Sequence, residues 1–177
     1  MTRKIYLISG PAGVGKSTTS KVLAEHLHRS AYISGDVISL MPVAGYEKPW
    51  ESEKAKDLVW TNIISLTDNF LSDDRDVVVD WVMFWEDIKK YTLSWIKQGI
   101  EVRHVILWAD EETHLNRDVN RPVEMQMGER VIILRNEFLQ SGAPPRFFFD
   151  NTSVTPEDAI HRIRTEQQFL ISKLDLI

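Results

Sequence analysis

Short, nearly continuous hydrophobic runs recur along the chain. Five of them are rich in Val, Ile and aromatic residues, and each is only a few residues long. Runs of this kind are typical of strands that are buried on both faces of a sheet. We therefore predict strands at residues 4–9, 30–34, 76–82, 102–108 and 146–149.

The segments between these runs have hydrophobic residues at helical spacing instead. In the longest segment, Val59, Ile63, Leu66 and Phe70 fall along one helical face. The predicted helices are 17–29, 50–72, 86–98, 111–120, 127–139 and 156–174, the last with Thr155 as its N-cap. The stretches 41–49 and 121–127 are predicted loops.

Regular alternation of strands and helices predicts an α/β fold, in which helices cover both faces of a parallel sheet. At 177 residues, without internal repeats or a linker-like stretch, the sequence predicts a single domain over residues 1–177. We expect a monomer or a homodimer.

The composition narrows the classes of partner. The net charge of −5 comes from scattered charges and provides no basic face, which argues against nucleic acid. The chain has no cysteine, which excludes disulfides and thiol catalysis. The apolar run near the N-terminus is too short for a signal peptide or a membrane span. We therefore expect a cytoplasmic protein without a membrane partner.

One motif carries specific chemistry. The sequence Gly10-Pro11-Ala12-Gly13-Val14-Gly15-Lys16-Ser17 matches G-x-x-x-x-G-K-[ST] between a predicted strand and a predicted helix. Such a loop wraps backbone N–H groups around phosphates at a helix N-terminus. We expect ATP contacts from Gly10, Ala12, Gly13, Val14, Gly15, Lys16, Ser17 and Thr18, with Lys16 on the β- and γ-phosphates and Ser17 on Mg²⁺.

A second acid for the metal is expected at the end of a buried strand beside this loop. Asp80 follows Val77-Val78-Val79 and fits that position, although an acid there can also cap a local turn. Trp81 follows it where motor ATPases place a glutamate. The chain also lacks the Asn-Lys-x-Asp motif of guanine-binding proteins.

Asp36 follows the second predicted strand, in the sequence Ser34-Gly35-Asp36. The carboxyl ends of parallel strands are where α/β sheets bind ligands. We therefore predict that Asp36 accepts or orients the proton of an attacking hydroxyl group. The alternative is that Asp36 caps the following helix.

Together, the phosphate loop, Gly35-Asp36 and the pair Arg117 and Arg121 resemble the small-molecule and nucleoside-monophosphate kinases. The tract 32–42 is most similar to gluconate-kinase-like bacterial kinases, and also to chloramphenicol phosphotransferase and the zeta-toxin kinases. The resemblance implies a five-stranded parallel sheet in the order 2-3-1-4-5. It also implies that Asp36 acts as a base or hydroxyl anchor.

The same resemblance assigns roles to later residues. It implies that Arg117 and Arg121, four apart on one predicted helix face, close over ATP and stabilise the transferring group. The alternative is a solvated face on which Arg117 pairs with Asp118. Arg130 and Arg135 are weaker candidates. The resemblance also implies that the loop at Asn151 borders the adenine, although this loop can equally form a capping turn.

Aromatic residues are candidates for the wall of an acceptor pocket, with core packing as the alternative for most of them. The candidates, which include one methionine, are Tyr46, Trp50, Trp81, Met83, Phe84 and Trp85, whereas Trp60, Trp95 and Trp108 are expected to be structural. The five histidines show no metal-ligand spacing.

The sequence thus favours an ATP- and Mg²⁺-dependent kinase for a small-molecule hydroxyl or phosphate. Mobile segments are expected at about 37–56 around the acceptor and at about 117–128 as a lid. One alternative is a nucleotide-binding regulatory protein with little turnover. Another is a phosphotransferase for an antibiotic or a nucleotide sugar.

Overall fold

A computed structural model describes residues 3–123 and 126–176. Its centre is a five-stranded parallel sheet in the order β2-β3-β1-β4-β5, which confirms the predicted order and direction. The strands are β1 (Lys4–Ser9), β2 (Ser30–Ser34), β3 (Asp76–Asp80), β4 (Glu101–Trp108) and β5 (Phe148–Asp150).

Seven α-helices are assigned within the described residues. They are α1 (Lys16–Glu25), α2 (Gly35–Ser39), α3 (Glu53–Ser72), α4 (Trp85–Lys97), α5 (Glu111–Val119), α6 (Glu129–Gln140) and α7 (Pro156–Thr165). Within those residues, no helix combines the length and the apolar character needed to cross a membrane.

Alternate residues of the central strand point to opposite faces of the sheet. Ile5 and Leu7 are fully buried in a cluster that includes residues of α3 and α4. Tyr6 and Ile8 are buried in a second cluster, formed largely with α1 and α7. A strand buried on both faces needs a nearly continuous apolar run, and this is why the pattern of residues 4–9 identified it.

The prediction of one long helix over 156–174 is wrong. Thr155 caps α7, its hydroxyl accepting a hydrogen bond from Asp158 N at 3.1 Å, but the helix ends at Thr165. Short 3₁₀ turns follow at Gln167–Phe169 and Lys173–Leu176. Between these two turns, the chain pairs with the part of the β4 edge that β5 does not cover. There, Ile171 N donates to Val102 O at 2.9 Å. Pairing with this edge outweighs the local helical pattern.

The short helix α2 was not predicted. It begins directly where β2 ends, and Ser34 caps it by accepting a hydrogen bond from Val37 N at 3.4 Å. The predicted loop 41–49 follows and is irregular, and α3 then begins at Glu53 instead of residue 50. Ser52 sets that start by accepting a hydrogen bond from Ala55 N at 3.3 Å.

Candidate active site

The phosphate loop runs from the end of β1 to the start of α1, and its path requires glycine at the first position. Gly10 has φ of +134°, and a Cβ there would lie 2.4 Å from the carbonyl oxygen of Leu107. No other residue fits so close to the β4 backbone without displacing it. Glycine at this position therefore lets the loop turn away from the sheet edge. With this path, the N–H groups of the loop can face a ligand.

Two buried side chains brace this loop from behind. His114 Nε2 lies 2.5 Å from Ala12 O, while Arg135 donates to His114 Nδ1 at 3.2 Å and to Ala109 O at 2.7 Å. Because Nδ1 accepts from Arg135, Nε2 carries the proton and donates to Ala12 O. Burial lowers the pKa of His114, and the nearby Arg135 charge lowers it further. Arg135, a weaker lid candidate from the sequence, therefore supports the loop instead of facing the ligand.

Asn151 holds the loop from a third side. Its Nδ2 donates to Val14 O at 3.0 Å, and its own N donates to Trp108 O at 2.7 Å. Arg117 completes the arrangement by donating to Asn151 Oδ1 at 2.8 Å and to Asn151 O at 3.1 Å. The structure thus brings Arg117 and Asn151 together beside the start of α1.

Lys16 begins α1 with its side chain almost fully buried, and its Nζ donates to Pro11 O at 2.9 Å. Burial lowers the pKa of Lys16, while the charges of Asp80 and Asp36 act in the opposite direction. The carboxylates of Asp80 and Asp36 therefore both lie near this ammonium group.

Asp80 ends β3 next to β1, and its carboxyl group is 2% exposed. Tyr32 of β2 donates to its Oδ2 at 3.0 Å, and burial together with the Asp80 charge raises the pKa of Tyr32 to about 12. Hydrogen bonding with Ser34 and Ser17 lowers this pKa, so both hydroxyls lie beside that of Tyr32. These contacts do not support the alternative in which Asp80 caps a local turn.

These residues suit a magnesium ion that arrives with its own phosphate and water ligands. Asp80 Oδ1 is buried without a hydrogen-bond partner, and Ser17 is exposed at the start of α1. In the described ranges, no three His, Cys, Asp or Glu side chains form a protein-only metal cluster. Mg²⁺ keeps most of its water and takes one or two protein ligands beside phosphates, so the donor set fits.

Asp36 lies in the first turn of α2, with its side chain exposed to the cleft described below. The surrounding walls still desolvate its carboxyl group and raise its pKa, while the charge of Lys16 opposes this change. Ser34 is the residue that caps α2, so the alternative role of Asp36 as the cap does not apply.

A cleft of about 900 Å³ connects the phosphate loop and Lys16 with Asp36. The phosphate loop and Asp36 line it together with three aromatic residues, Trp50, Trp81 and Phe84. Of the other pocket candidates, Met83 and Trp85 are buried in the core, and Tyr46 does not line the cleft. Trp60 and Trp95 are fully buried in the core, and Trp108 packs against Phe148.

Charged side chains line the far wall of this cleft. Lys56 of α3 pairs with Asp87 at 3.3 Å and with Glu53 at 3.0 Å. Asp87 is buried, which raises its pKa, and it also accepts a hydrogen bond from Phe84 N at 3.3 Å. The cleft thus contains a cation whose charge is already shared between two carboxylates.

The two predicted lid arginines do not share a helix face. Arg117 lies within α5, but α5 ends at Val119, and Arg121 follows in the next turn. Arg121 lines the cleft, and its charge affects the pKa of both Lys16 and Asp36. The structure therefore separates Arg117, which lies beside Asn151, from Arg121, which lines the cleft near Lys16 and Asp36. Arg130 also lines the cleft.

Asp118 organises the segment that follows α5. It is buried, pairs with Arg121 at 3.3 Å, and accepts from Met127 N at 2.9 Å and from Gly128 N at 2.9 Å. The sequence interpretation treated Asp118 only as a possible partner of Arg117. Of the predicted lid 117–128, residues 124 and 125 lie outside the described residues.

Sequence reasoning missed Tyr32, Asp118 and the group formed by Lys56 and Asp87. None belongs to the phosphate-loop motif, and the contacts of Tyr32 with Asp80 and of Lys56 with Asp87 join residues that are distant in the chain. For Asp118, the spacing from Arg121 was a usable signal, since residues three apart on a helix are neighbours.

Comparison with known proteins supports this description. The model of the family AAA_33, described as an AAA domain, matches residues 5–133. A cytidylate kinase of Chlamydia pneumoniae is 44% identical over 46 residues, a stretch spanning 26% of this chain and 21% of that protein. The chain therefore matches only about a fifth of that relative's length.

Solved structures extend the similarity to the whole fold. The Mycobacterium tuberculosis APS kinase CysC, in complex with AMPPNP and APS, has a TM-score of 0.70 at 15% identity, covering 92% of this chain and 96% of that one. A sugar kinase from Janibacter sp. has a TM-score of 0.67 at 14% identity, covering 96% of both chains. In a Pnkp1/Rnl/Hen1 complex, the match covers only 42% of the longer chain.

The family match covers well over half of the chain, and the sugar kinase and APS kinase structures share its fold over more than nine tenths of each chain. The resemblance to small-molecule and nucleoside-monophosphate kinases is thereby confirmed at the level of fold. The chain belongs to the AAA_33 family and has the nucleotide-binding P-loop fold of kinases.

Proposed function

We propose that the protein is an ATP- and Mg²⁺-dependent phosphotransferase that acts on a small molecule. The observation that carries the proposal is one continuous cleft, with the phosphate loop and Lys16 at one end and Asp36 between that loop and an aromatic wall. A pure nucleotide binder has no need for a carboxylate held between the phosphates and a second pocket.

The phosphate loop, Lys16 and Ser17 bind the triphosphate of ATP in this proposal, and Asp80 orients the water shell of the metal. When bound, Mg²⁺ neutralises charge on the β- and γ-phosphates. Arg117 and Asn151 lie on the outer side of the loop and border the base. Their contacts with Val14 and with each other support this assignment.

Asp36 acts on the acceptor hydroxyl. The hydroxyl oxygen forms a bond to the γ-phosphorus, the bond between that phosphorus and the oxygen of ADP breaks, and the hydroxyl proton passes to Asp36. A raised pKa suits a carboxylate that receives a proton during each turnover. ADP leaves with the bonding electron pair.

Arg121 faces the transferring group, where a positive charge stabilises the transition state. Asp118 holds Arg121 and the backbone of residues 127 and 128 together. We therefore expect residues 117–123 and 126–128 to move together when this side of the cleft closes, which excludes water and suppresses hydrolysis of ATP.

The test is ATP consumption across a panel of hydroxyl-bearing metabolites and antibiotics, with each product identified by mass spectrometry. We expect at least one acceptor to accelerate ADP release well above the rate with ATP alone. In Asp36→Asn, this turnover is lost while AMPPNP still binds with unchanged affinity. AMPPNP binding without acceptor-dependent turnover would instead identify a regulatory protein.

A further inference from the structure

The charges in the cleft are unequally distributed between its two ends. Five carboxylates and four cationic side chains line it within the described residues. Two of the cations, Lys16 and Arg121, lie at the phosphate-loop end and serve ATP under the proposed function. The other charged lining residues, here named the acceptor end, are Lys56 and Arg130 together with Asp36, Glu51, Glu53, Asp87 and Glu137.

The positive charge of Lys56 is already compensated by two carboxylates, so Lys56 contributes little to binding an anionic ligand. Its ammonium group contacts Asp87 at 3.3 Å and Glu53 at 3.0 Å, and Asp87 is almost fully buried. Removing Lys56 from Asp87 to bind an anion would leave a buried carboxylate unpaired, which is strongly unfavourable. Arg130 is thus the one described cation at this end not already paired with two carboxylates.

A phosphate group on the acceptor would face this acidic wall. Proteins bind phosphomonoesters through bidentate arginines or clusters of cations, and like charges in close contact oppose binding. The acceptor end has neither an arginine pair nor a net positive charge among its described residues. Its electrostatics favour ligands that are uncharged or positively charged.

The apolar surface of this end is aromatic. Trp81 forms part of the wall beside Asp36, and Trp50 lies at the opening with 62% of its surface exposed. The ammonium group of Lys48 already lies 5.7 Å from the centre of the Trp50 ring. Indole faces attract cations and pack against flat rings, so they suit the same ligand class.

We infer that the acceptor is an unphosphorylated hydroxyl compound, uncharged or cationic, whose ring packs against Trp50 and Trp81. This inference rests on the proposed function and narrows it. It excludes nucleoside monophosphates and sugar phosphates, even though one matched relative is a cytidylate kinase.

The experiment compares compounds that differ only by a phosphate or an amine. Protein saturated with AMPPNP and Mg²⁺ is titrated with cytidine and CMP, with adenosine and AMP, and with glucose, glucosamine and glucose 6-phosphate. Saturation keeps these probes out of the ATP site, and calorimetry reports affinity without turnover. We expect at least one unphosphorylated member to bind tenfold or more tightly than its phosphomonoester. The inference is overturned if a phosphomonoester binds more tightly, or if no unphosphorylated member binds.

A pair of variants tests the electrostatic cause. Glu53→Gln with Glu137→Gln removes two negative charges from the wall and should reduce the preference against phosphomonoesters at least several-fold. The matched control, Glu25→Gln with Glu157→Gln, removes two charges from α1 and α7, outside the cleft lining. An equal change in both double variants contradicts the inference.

Measuring ATP turnover with the same compounds separates this inference from the proposed function. Selective binding without ATP turnover contradicts the phosphotransferase proposal and leaves the ligand class intact. ATP turnover with a phosphomonoester as the acceptor supports the phosphotransferase proposal and contradicts the inferred ligand class.

Discussion

The hydroxyl of Tyr32 donates a hydrogen bond to Oδ2 of Asp80 over 3.0 Å, which joins β2 to β3 beneath the phosphate loop. The bond leaves Asp80 Oδ1 without a partner and fixes the plane of the carboxyl group. Tyr32 is therefore a positioning residue for Asp80, the carboxylate that we propose for the metal.

Replacing Tyr32 by Phe keeps the ring and removes the hydroxyl. The buried Asp80 carboxylate then loses a hydrogen bond, which costs about 1–3 kcal/mol of unfolding free energy. We expect AMPPNP binding to need several-fold more Mg²⁺ for half-saturation, measured by calorimetry at fixed nucleotide concentration. Tyr91→Phe, which removes a tyrosine hydroxyl that binds Asp57 away from the loop, is the control. An unchanged Mg²⁺ dependence would show that Tyr32 does not orient Asp80.

Arg117 and Arg121 should affect different kinetic constants. Arg117 bonds to Asn151 and lies near Val14 O, so Arg117→Ala should weaken AMPPNP binding with a smaller effect on kcat. Arg121 faces Lys16 and Asp36, so Arg121→Ala should lower kcat by roughly 10³-fold or more. Steady-state kinetics with the acceptor found in the panel measure both. If both variants keep kcat within a few-fold of the wild type, neither arginine stabilises the transferring group.

The raised pKa of Asp36 predicts the acidic limb of the pH profile. The carboxylate must be deprotonated to accept a proton, so activity falls as the pH drops through its pKa. Because burial raises that pKa, the fall in kcat/KM should occur above the 3.8 of an ordinary aspartate. Asp36→Glu should retain an acidic limb at a shifted pH, whereas Asp36→Asn should be inactive throughout. An identical limb in Asp36→Glu would assign it to another group.

The packing of Gly35 against Trp81 predicts a steric effect on the acceptor wall. A Cβ at Gly35 would lie 2.3 Å from Trp81 Cγ, and the backbone there needs no positive φ. Gly35→Ala should therefore act only through this clash, at a cost of about 1–3 kcal/mol in unfolding free energy. Gly35→Ala should also weaken the binding of the acceptor without changing the affinity for AMPPNP.

A double-mutant cycle identifies the cause of that loss. Trp81→Ala removes the ring that the new methyl group meets, so adding Gly35→Ala to it should cost much less than in the wild type. Urea unfolding of the four proteins measures the coupling. If the two substitutions lower the unfolding free energy additively, the strain does not come from contact between residue 35 and Trp81.

The central strands could be predicted because burial on both faces of the sheet leaves a local hydrophobic signal, whereas the sheet order was implied by the resemblance to kinases. The positions of Lys16, Asp36 and Asp80 follow from strand ends, which the same signal locates. The separation of Arg117 from Arg121 could not be predicted, because it depends on α5 ending at Val119. The contact of Tyr32 with Asp80 depends on the register between β2 and β3, which the sequence pattern alone does not specify.

His104 should make the stability of the fold depend on pH. It is fully buried in β4 against the rings of Trp85 and Phe147, and its Nε2 has no partner among the described residues. Burial lowers its pKa from 6.5 to about 3. The unfolded chain binds a proton at His104 below pH 6.5, and the folded chain does not until about pH 3. The contribution of the neutral ring is therefore complete above pH 6.5 and is lost as the pH falls through this window.

The variant His104→Phe keeps an aromatic ring in place and removes the titration. Linkage predicts that His104 costs the wild type about 1.4 kcal/mol of unfolding free energy per pH unit below 6.5. Urea titrations at pH 7.5 and pH 4.5 should therefore show a loss that is roughly 2–3 kcal/mol larger in the wild type than in His104→Phe. His161→Phe, at an exposed position on α7, is the control and should lose stability as the wild type does. Equal losses in the wild type and His104→Phe would mean that His104 is protonated within the fold.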